Sequence, residues 1–134
     1  CGKGINADED IVIDNCQLSV VTTGDLYVYN ALDTKPHAVN TDVTITINGG
    51  TLFVAASSAG RALSTDFAFL VNGGTLMGIG GKKCEPTGGT QKYKVYKAQN
   101  IKAGATAAYD GVSFTIPAVY NNSKAQVLVS KPGM

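Results

Sequence analysis

Ile45-Thr46-Ile47-Asn48-Gly49-Gly50-Thr51-Leu52-Phe53-Val54 decides the fold of this chain, because it returns 24 residues later as Phe69-Leu70-Val71-Asn72-Gly73-Gly74-Thr75-Leu76-Met77-Gly78. A more diverged copy stands 34 residues upstream, as Ile11-Val12-Ile13-Asp14-Asn15-Cys16-Gln17-Leu18-Ser19-Val20. The alignment extends without gaps towards the N-terminus. Lys3-Gly4-Ile5-Asn6-Ala7-Asp8 meets His37-Ala38-Val39-Asn40-Thr41-Asp42 and Arg61-Ala62-Leu63-Ser64-Thr65-Asp66. The longer first interval is accounted for by an insertion at 25–36. Within each copy, apolar residues alternate at period two: Ile11 and Ile13, Ile45 and Ile47, Phe69 and Val71. That period specifies strands. The Asn-Cys, Gly-Gly and Gly-Gly steps mark corners where the backbone turns through positive φ.

One such repeat cannot bury its own apolar face, whereas stacked repeats can. Stacking places Ile5 on Val39 on Leu63, and Leu18 on Leu52 on Leu76. The expectation is an all-β chain: a right-handed parallel β-helix of about three coils over 1–81, with a C-terminal antiparallel β cap over 82–134, together one domain. A leucine-rich repeat would show asparagine and leucine spacings that are absent, and a propeller blade needs about 40 residues or more. A β-sandwich built from the same strands is the alternative. It does not require equal spacing of polar residues between copies, and that spacing is present.

Beyond Gly81 the period is lost. Segment 84–90 reads as loop, with proline and glycines. Strand-like runs follow at 92–98, 106–109, 112–116 and 125–130. They suit an antiparallel closing unit that protects the edge of the last repeat.

Composition narrows the functional classes. The 134 residues carry 11 basic and 10 acidic side chains and one histidine. Such a balanced charge gives no field for nucleic acid or an anionic membrane surface. No apolar run approaches the ~20 residues of a membrane span. A single histidine leaves no readable Ser/His/Asp set, and no catalytic residue is assigned. Cys1, Cys16 and Cys84 fit no zinc spacing. Cys1 has two readings: the lipid-bearing first residue of a bacterial surface lipoprotein, or the start of a trimmed or partial chain. Asn121-Asn122-Ser123 matches a glycosylation sequon, which matters only in a eukaryotic secreted protein.

Equal positions in stacked repeats become columns with a spacing of about 4.8 Å. Asp14, Asn48 and Asn72 make a ladder of hydrogen-bonding side chains. Asn6, Asn40 and Ser64 make a second column, which serves a turn. Asp8, Asp42 and Asp66 make a third. A carboxylate pair at that spacing costs about 0.9 kcal/mol in water and about 3.5 kcal/mol at an effective dielectric of 20. Two offsets are open: each Asp caps its own turn, or a bridging Ca2+ binds the column, with Glu9 and Asp10 adding oxygens near Asp8. Lys3, His37 and Arg61 make a fourth column. It is either a solvated face or a basic strip for the carboxylates of an acidic polymer, with Arg61 able to bind bidentately. Tyr27 and Tyr29, in the insertion, share one side if extended. They either stack on a sugar or cover a gap in the core. Tyr93 and Tyr96 have the same two readings.

The run Lys3-Gly4-Ile5-Asn6-Ala7-Asp8 with Ile11-Val12-Ile13, and the two Asn-Gly-Gly-Thr-Leu stretches, resemble a family of secreted bacterial carbohydrate-binding domains with a pectate-lyase-like parallel β-helix. The tail stretches Val112-Ser113-Phe114-Thr115-Ile116-Pro117 and Val127-Leu128-Val129-Ser130-Lys131-Pro132-Gly133 resemble that family's closing strands. His37-Ala38-Val39 and Arg61-Ala62-Leu63 depart from its lysine-glycine-isoleucine. The resemblance implies an extracellular or cell-surface, non-catalytic polysaccharide-binding module, with acidic sugars or cellulose as ligands and Ca2+ at Asp8, Asp42 and Asp66. It implies carbohydrate contact without fixing the site, for which Lys3, His37, Arg61, Tyr27 and Tyr29 are the candidates. Two other functions stand beside it: a structural or adhesive surface protein, and a calcium-dependent polyuronate lyase with Lys3 or Arg61 as base. The exposed strand edges of the first repeat call for further coils, a cap or another subunit there.

Overall fold

The structure is a computed structural model, and it describes residues 5–22, 27–29, 32–34, 37–58, 60–118 and 120–133. It is all-β, with parallel and mixed sheets and no helix among the described residues. Each copy of the repeat supplies three strands. The first copy forms β1 (Ile5–Ala7), β2 (Ile11–Ile13) and β3 (Cys16–Val21). The insertion forms a short antiparallel pair, β4 (Tyr27–Tyr29) and β5 (Leu32–Thr34). The second copy gives β6 (Val39–Thr41), β7 (Thr44–Ile47) and β8 (Gly50–Ala55). The third gives β9 (Leu63–Thr65), β10 (Ala68–Val71) and β11 (Thr75–Gly80).

Strands of equal rank pair with one another, all in parallel. The orders are β1-β6-β9, β2-β7-β10 and β3-β8-β11. Their registers are the ones the repeat alignment predicts: Ile5↔Val39↔Leu63, Ile11↔Ile45↔Phe69 and Leu18↔Leu52↔Leu76. The apolar members face a common core in which Val39, Ile45, Ile47, Leu52, Val54, Val71 and Leu76 are wholly excluded from solvent. Burying a side chain of this size contributes roughly 1.5–3 kcal/mol. Ile5, Ile11, Leu18 and Val20 of the first copy are only partly covered, since among the described residues β1, β2 and β3 have a paired neighbour on one side alone.

The corners follow local chemistry. Positive φ falls at Gly50 (100°) and Gly74 (85°) in the second and third copies. Cys16 takes the equivalent place in the first copy, opposite Gly50. A side chain disfavours that conformation, so the left-handed residue moves one place back, to Asn15 (φ 41°).

The C-terminal region extends the third sheet rather than starting a separate one. β15 (Asn122–Ser130) lies antiparallel on the free edge of β11, and β12 (Tyr93–Ile101) lies antiparallel on β15. The resulting order is β12-β15-β11-β8-β3. A hairpin of β13 (Thr106–Tyr109) and β14 (Val112–Thr115) turns at Asp110-Gly111, where both residues have positive φ, as a two-residue hairpin turn of the primed type requires. This hairpin and Tyr120 cover the outer face of the sheet in a second core, containing Phe53, Ala55, Met77, Ile79, Val127 and Val129. That is why β8 and β11 read as nearly continuous apolar runs: alternate residues enter alternate cores. Tyr120 is buried and donates its hydroxyl to the carbonyl of Ala56.

Segment 84–91 is more ordered than a plain loop. It runs along the free edge of β10, with Val71 N–H donating to Gly88 O at 3.3 Å, Gln91 N–H to Val71 O at 3.0 Å and Thr87 N–H to Phe69 O at 2.8 Å.

Candidate functional site

Two of the three stacks are closed at the third repeat: β10 by segment 84–91 and β11 by β15. β9 has no strand partner beyond β6 among the described residues. On its outer side the Cys84 thiol donates to Leu63 O at 3.3 Å. Here lies a cavity of about 330 Å³ whose lining includes Arg61, Ser64, Thr65, Lys83, Glu85 and Phe69. Lys83 Nζ stands 3.7 Å from the Glu85 carboxylate. Arg61 is exposed and makes no ion pair among the described residues. Cys84, buried at the cavity wall, has its thiol pushed up to about 11 by desolvation, against the lowering effects of the Leu63 contact and the Arg61 charge. It therefore stays a neutral thiol and offers no nucleophile at neutral pH.

His37 does not join Arg61 on a solvent-facing strip. It is buried, and its Nδ1 accepts the backbone N–H of Arg61 at 2.9 Å. An accepting Nδ1 carries no proton. The imidazole therefore acts as a seat for the Arg61 backbone. Lys3 and Cys1 lie outside the described residues. Tyr27 and Tyr29 belong to β4 as backbone, and their side chains lie outside what is described. Tyr93 is exposed; Tyr96 donates its hydroxyl to Asp110 and packs on Tyr109 at 4.9 Å, which makes it a structural side chain.

Asp8, Asp42 and Asp66 are exposed and follow the register-matched residues Ala7, Thr41 and Thr65, so the third column exists along one row of turns. The turns themselves are capped by threonine. Thr41 Oγ1 donates to Glu9 O and accepts Val43 N–H at 3.3 Å. Thr65 Oγ1 donates to Val43 O and accepts Phe67 N–H at 3.2 Å. Each threonine thus closes its own turn and ties it to the repeat before. The Asp side chains make no hydrogen bond among the described residues, and no three His, Cys, Asp or Glu side chains converge there. Asp10, off the column, accepts Thr44 N–H at 3.2 Å.

The remaining columns are internal. Asn48 Nδ2 donates to Asp14 Oδ1 at 2.8 Å, Asn72 Nδ2 to Asn48 Oδ1 at 3.1 Å, and Thr90 N–H to Asn72 Oδ1 at 3.2 Å. In the second column Asn40 Nδ2 donates to Asn6 Oδ1 at 2.8 Å. Of the groups around the cavity, Lys83 and Glu85 were not singled out by sequence reasoning. The only local signal was a charged run, Lys82-Lys83-Cys84-Glu85, just where the period ends.

No family model, curated protein or solved structure matches this chain.

Proposed function

We propose that this chain is a non-catalytic, extracellular polysaccharide-binding module of a bacterial surface, built as three coils of a right-handed parallel β-helix and favouring acidic sugars. The architecture is supported by the three parallel stacks, which share one register and one core. The ligand class is supported by one observation above others. Arg61 is an exposed guanidinium with no ion-pair partner among the described residues, beside a cavity of about 330 Å³ that also holds Lys83, Glu85 and the outer side of β9. A uronate carboxylate fits the planar guanidinium fork bidentately, and Arg61 remains the uncompensated charge of the cavity because Lys83 stands 3.7 Å from the Glu85 carboxylate. The resemblance to secreted carbohydrate-binding domains points the same way.

Calcium enters this reading only as a shared ion. The Asp column offers exposed single carboxylates and no closed cage. A hard cation at Asp66, next to Thr65 of the cavity, would complete its six to eight oxygens from the polymer.

The test is a titration of the full chain with polygalacturonate and with neutral dextran, each with calcium and with chelator. The expected result is a melting temperature that rises with polygalacturonate. Arg61→Ala should weaken binding about ten- to a hundredfold, the size of a lost charge-assisted hydrogen bond. Equal binding by Arg61→Ala and wild type would remove the acidic-sugar reading. A second reading, a structural or adhesive surface protein, is favoured by the Asp14–Asn48–Asn72 ladder, which spends a whole column on internal cohesion. No shift with any polymer would select it.

A further inference from the structure

A second concavity lies on the outer face of the five-stranded sheet, at its β3 edge. Alternation sends Leu18 and Leu52 into the first core and leaves Gln17, Ser19, Thr51 and Phe53 on the outer face. Register sets Gln17 beside Thr51 and Ser19 beside Phe53. The β13–β14 hairpin covers this face only as far as Phe114, whose ring stacks on Phe53 with centroids 5.2 Å apart. Beyond it Gln17, Ser19 and Thr51 stay exposed. The resulting cavity is about 520 Å³, with the sheet as floor and Phe114 and Thr115 as wall.

We infer that this cavity is a subsite for a neutral hexopyranose unit of a polysaccharide, separate from the Arg61 cavity. Three features carry the assignment. No ionisable side chain lines it, so a charged ligand would find no counter-charge. Gln17, Ser19, Thr51 and Thr115 make no side-chain hydrogen bond among the described residues, which leaves three hydroxyls and a carboxamide free. These groups both donate and accept, as each hydroxyl of a sugar requires. The half-buried Phe114 ring, seated on the buried Phe53, supplies an apolar surface for the C–H face of a pyranose. The volume lies within the ~300–1,000 Å³ of small-molecule sites, which combine apolar walls with a few placed polar groups. An extended peptide would instead pair with the main chain of the β3 edge beside this face and would need none of these side chains. The inference shares a ligand class with the acidic-sugar reading but needs neither Arg61 nor calcium.

The experiment is amide-shift mapping of the full chain with hexasaccharides of glucose, mannose and galactose, with a galacturonate hexamer and with an extended Thr/Val hexapeptide. The expected result is that a neutral hexasaccharide shifts the amides of residues 17–19, 51 and 114–115. Phe114→Ala should weaken that binding about tenfold. Gln17→Ala, at an exposed position that does not threaten folding, should weaken it about threefold. The galacturonate hexamer should leave these amides unshifted, which separates this subsite from the Arg61 cavity. The subsite is overturned by any of three outcomes: no neutral sugar shifts these amides at millimolar concentration, only the peptide does, or Gln17→Ala and Phe114→Ala both bind as wild type.

Discussion

Asn48 links two residues that lie 58 positions apart in the chain: its Nδ2 donates to Asp14 at 2.8 Å and its Oδ1 accepts from Asn72 at 3.1 Å. The ladder has a direction. Each rung donates to the repeat before it and accepts from the repeat after it, and Thr90 continues it from segment 84–91. Asp14 closes it, because an ionised carboxylate only accepts.

Asn48→Ala removes both central rungs at once. These side chains are exposed, so water satisfies the orphaned groups and the loss is limited to about 1–2 kcal/mol. Asn72→Ala should cost a similar amount. Chemical denaturation of the two single variants and the double variant measures the coupling; strict additivity would mean that the rungs act independently.

Gly50→Ala should be among the most damaging small substitutions. Gly50 has φ +100°, and an added Cβ would lie 2.1 Å from the carbonyl oxygen of Cys16. Strain and clash together should cost about 3 kcal/mol or more. Gly104 has φ +77° with nothing within 4 Å of an added Cβ, so Gly104→Ala should cost only the backbone term, about 1–2 kcal/mol. Similar melting temperatures for the two variants would contradict this account of the corner.

The cluster at the hairpin turn predicts a pH response. The Tyr96 hydroxyl donates to Asp110, and with help from Lys94 Nζ at 3.3 Å this holds the Asp110 carboxyl below its ordinary value, against a smaller desolvation effect. The same bond, with burial, raises Tyr96. A lowered carboxyl contributes stability above its unfolded value, about pH 4, and loses it as pH falls through the folded value. A raised phenol contributes below about pH 10 and loses it as pH rises through its folded value. Asp110→Asn tolerates the positive φ at this position and isolates the charge effect. Melting curves of the variant and wild type should diverge at neutral pH and converge in acid; parallel curves at every pH would refute the linkage.

Thiol labelling should separate two cysteines. Cys16 is exposed, whereas Cys84 is buried with its thiol raised to about 11. Since the thiolate is the reactive form, a maleimide at about pH 8 should modify Cys16 in the native protein and Cys84 only as fast as the chain opens. Peptide mapping by mass reads this directly, and prompt native labelling of Cys84 would show that the packing around Leu63 is looser than described.

Much of the fold was legible because the signals are local and repeated. Ile45 and Ile47 alternate with threonines, and their copies lie at equal spacing, so strand, face and partner all follow from one alignment. The site was less legible. Arg61 stood out by its column position, but nothing local said that the equivalent histidine would be buried under its backbone. The Asp column was the conspicuous feature of the turns, yet the neighbouring threonines cap them, since Thr41 and Thr65 alone can donate to the repeat before and accept from their own turn.

By itself the sequence determined the all-β class, the repeat register and the corners, because period-two alternation and left-handed glycines act over a few residues. Only the tertiary structure decided which surfaces remain open. Phe53, Ala55, Met77 and Ile79 on the outer face of β8 and β11 are buried because a hairpin more than 25 residues downstream folds over them, and β9 has no strand on its outer edge among the described residues because segment 84–91 lies on β10 instead. Coverage of a face depends on where distant chain returns, and the local pattern of apolar and polar residues carries no record of that.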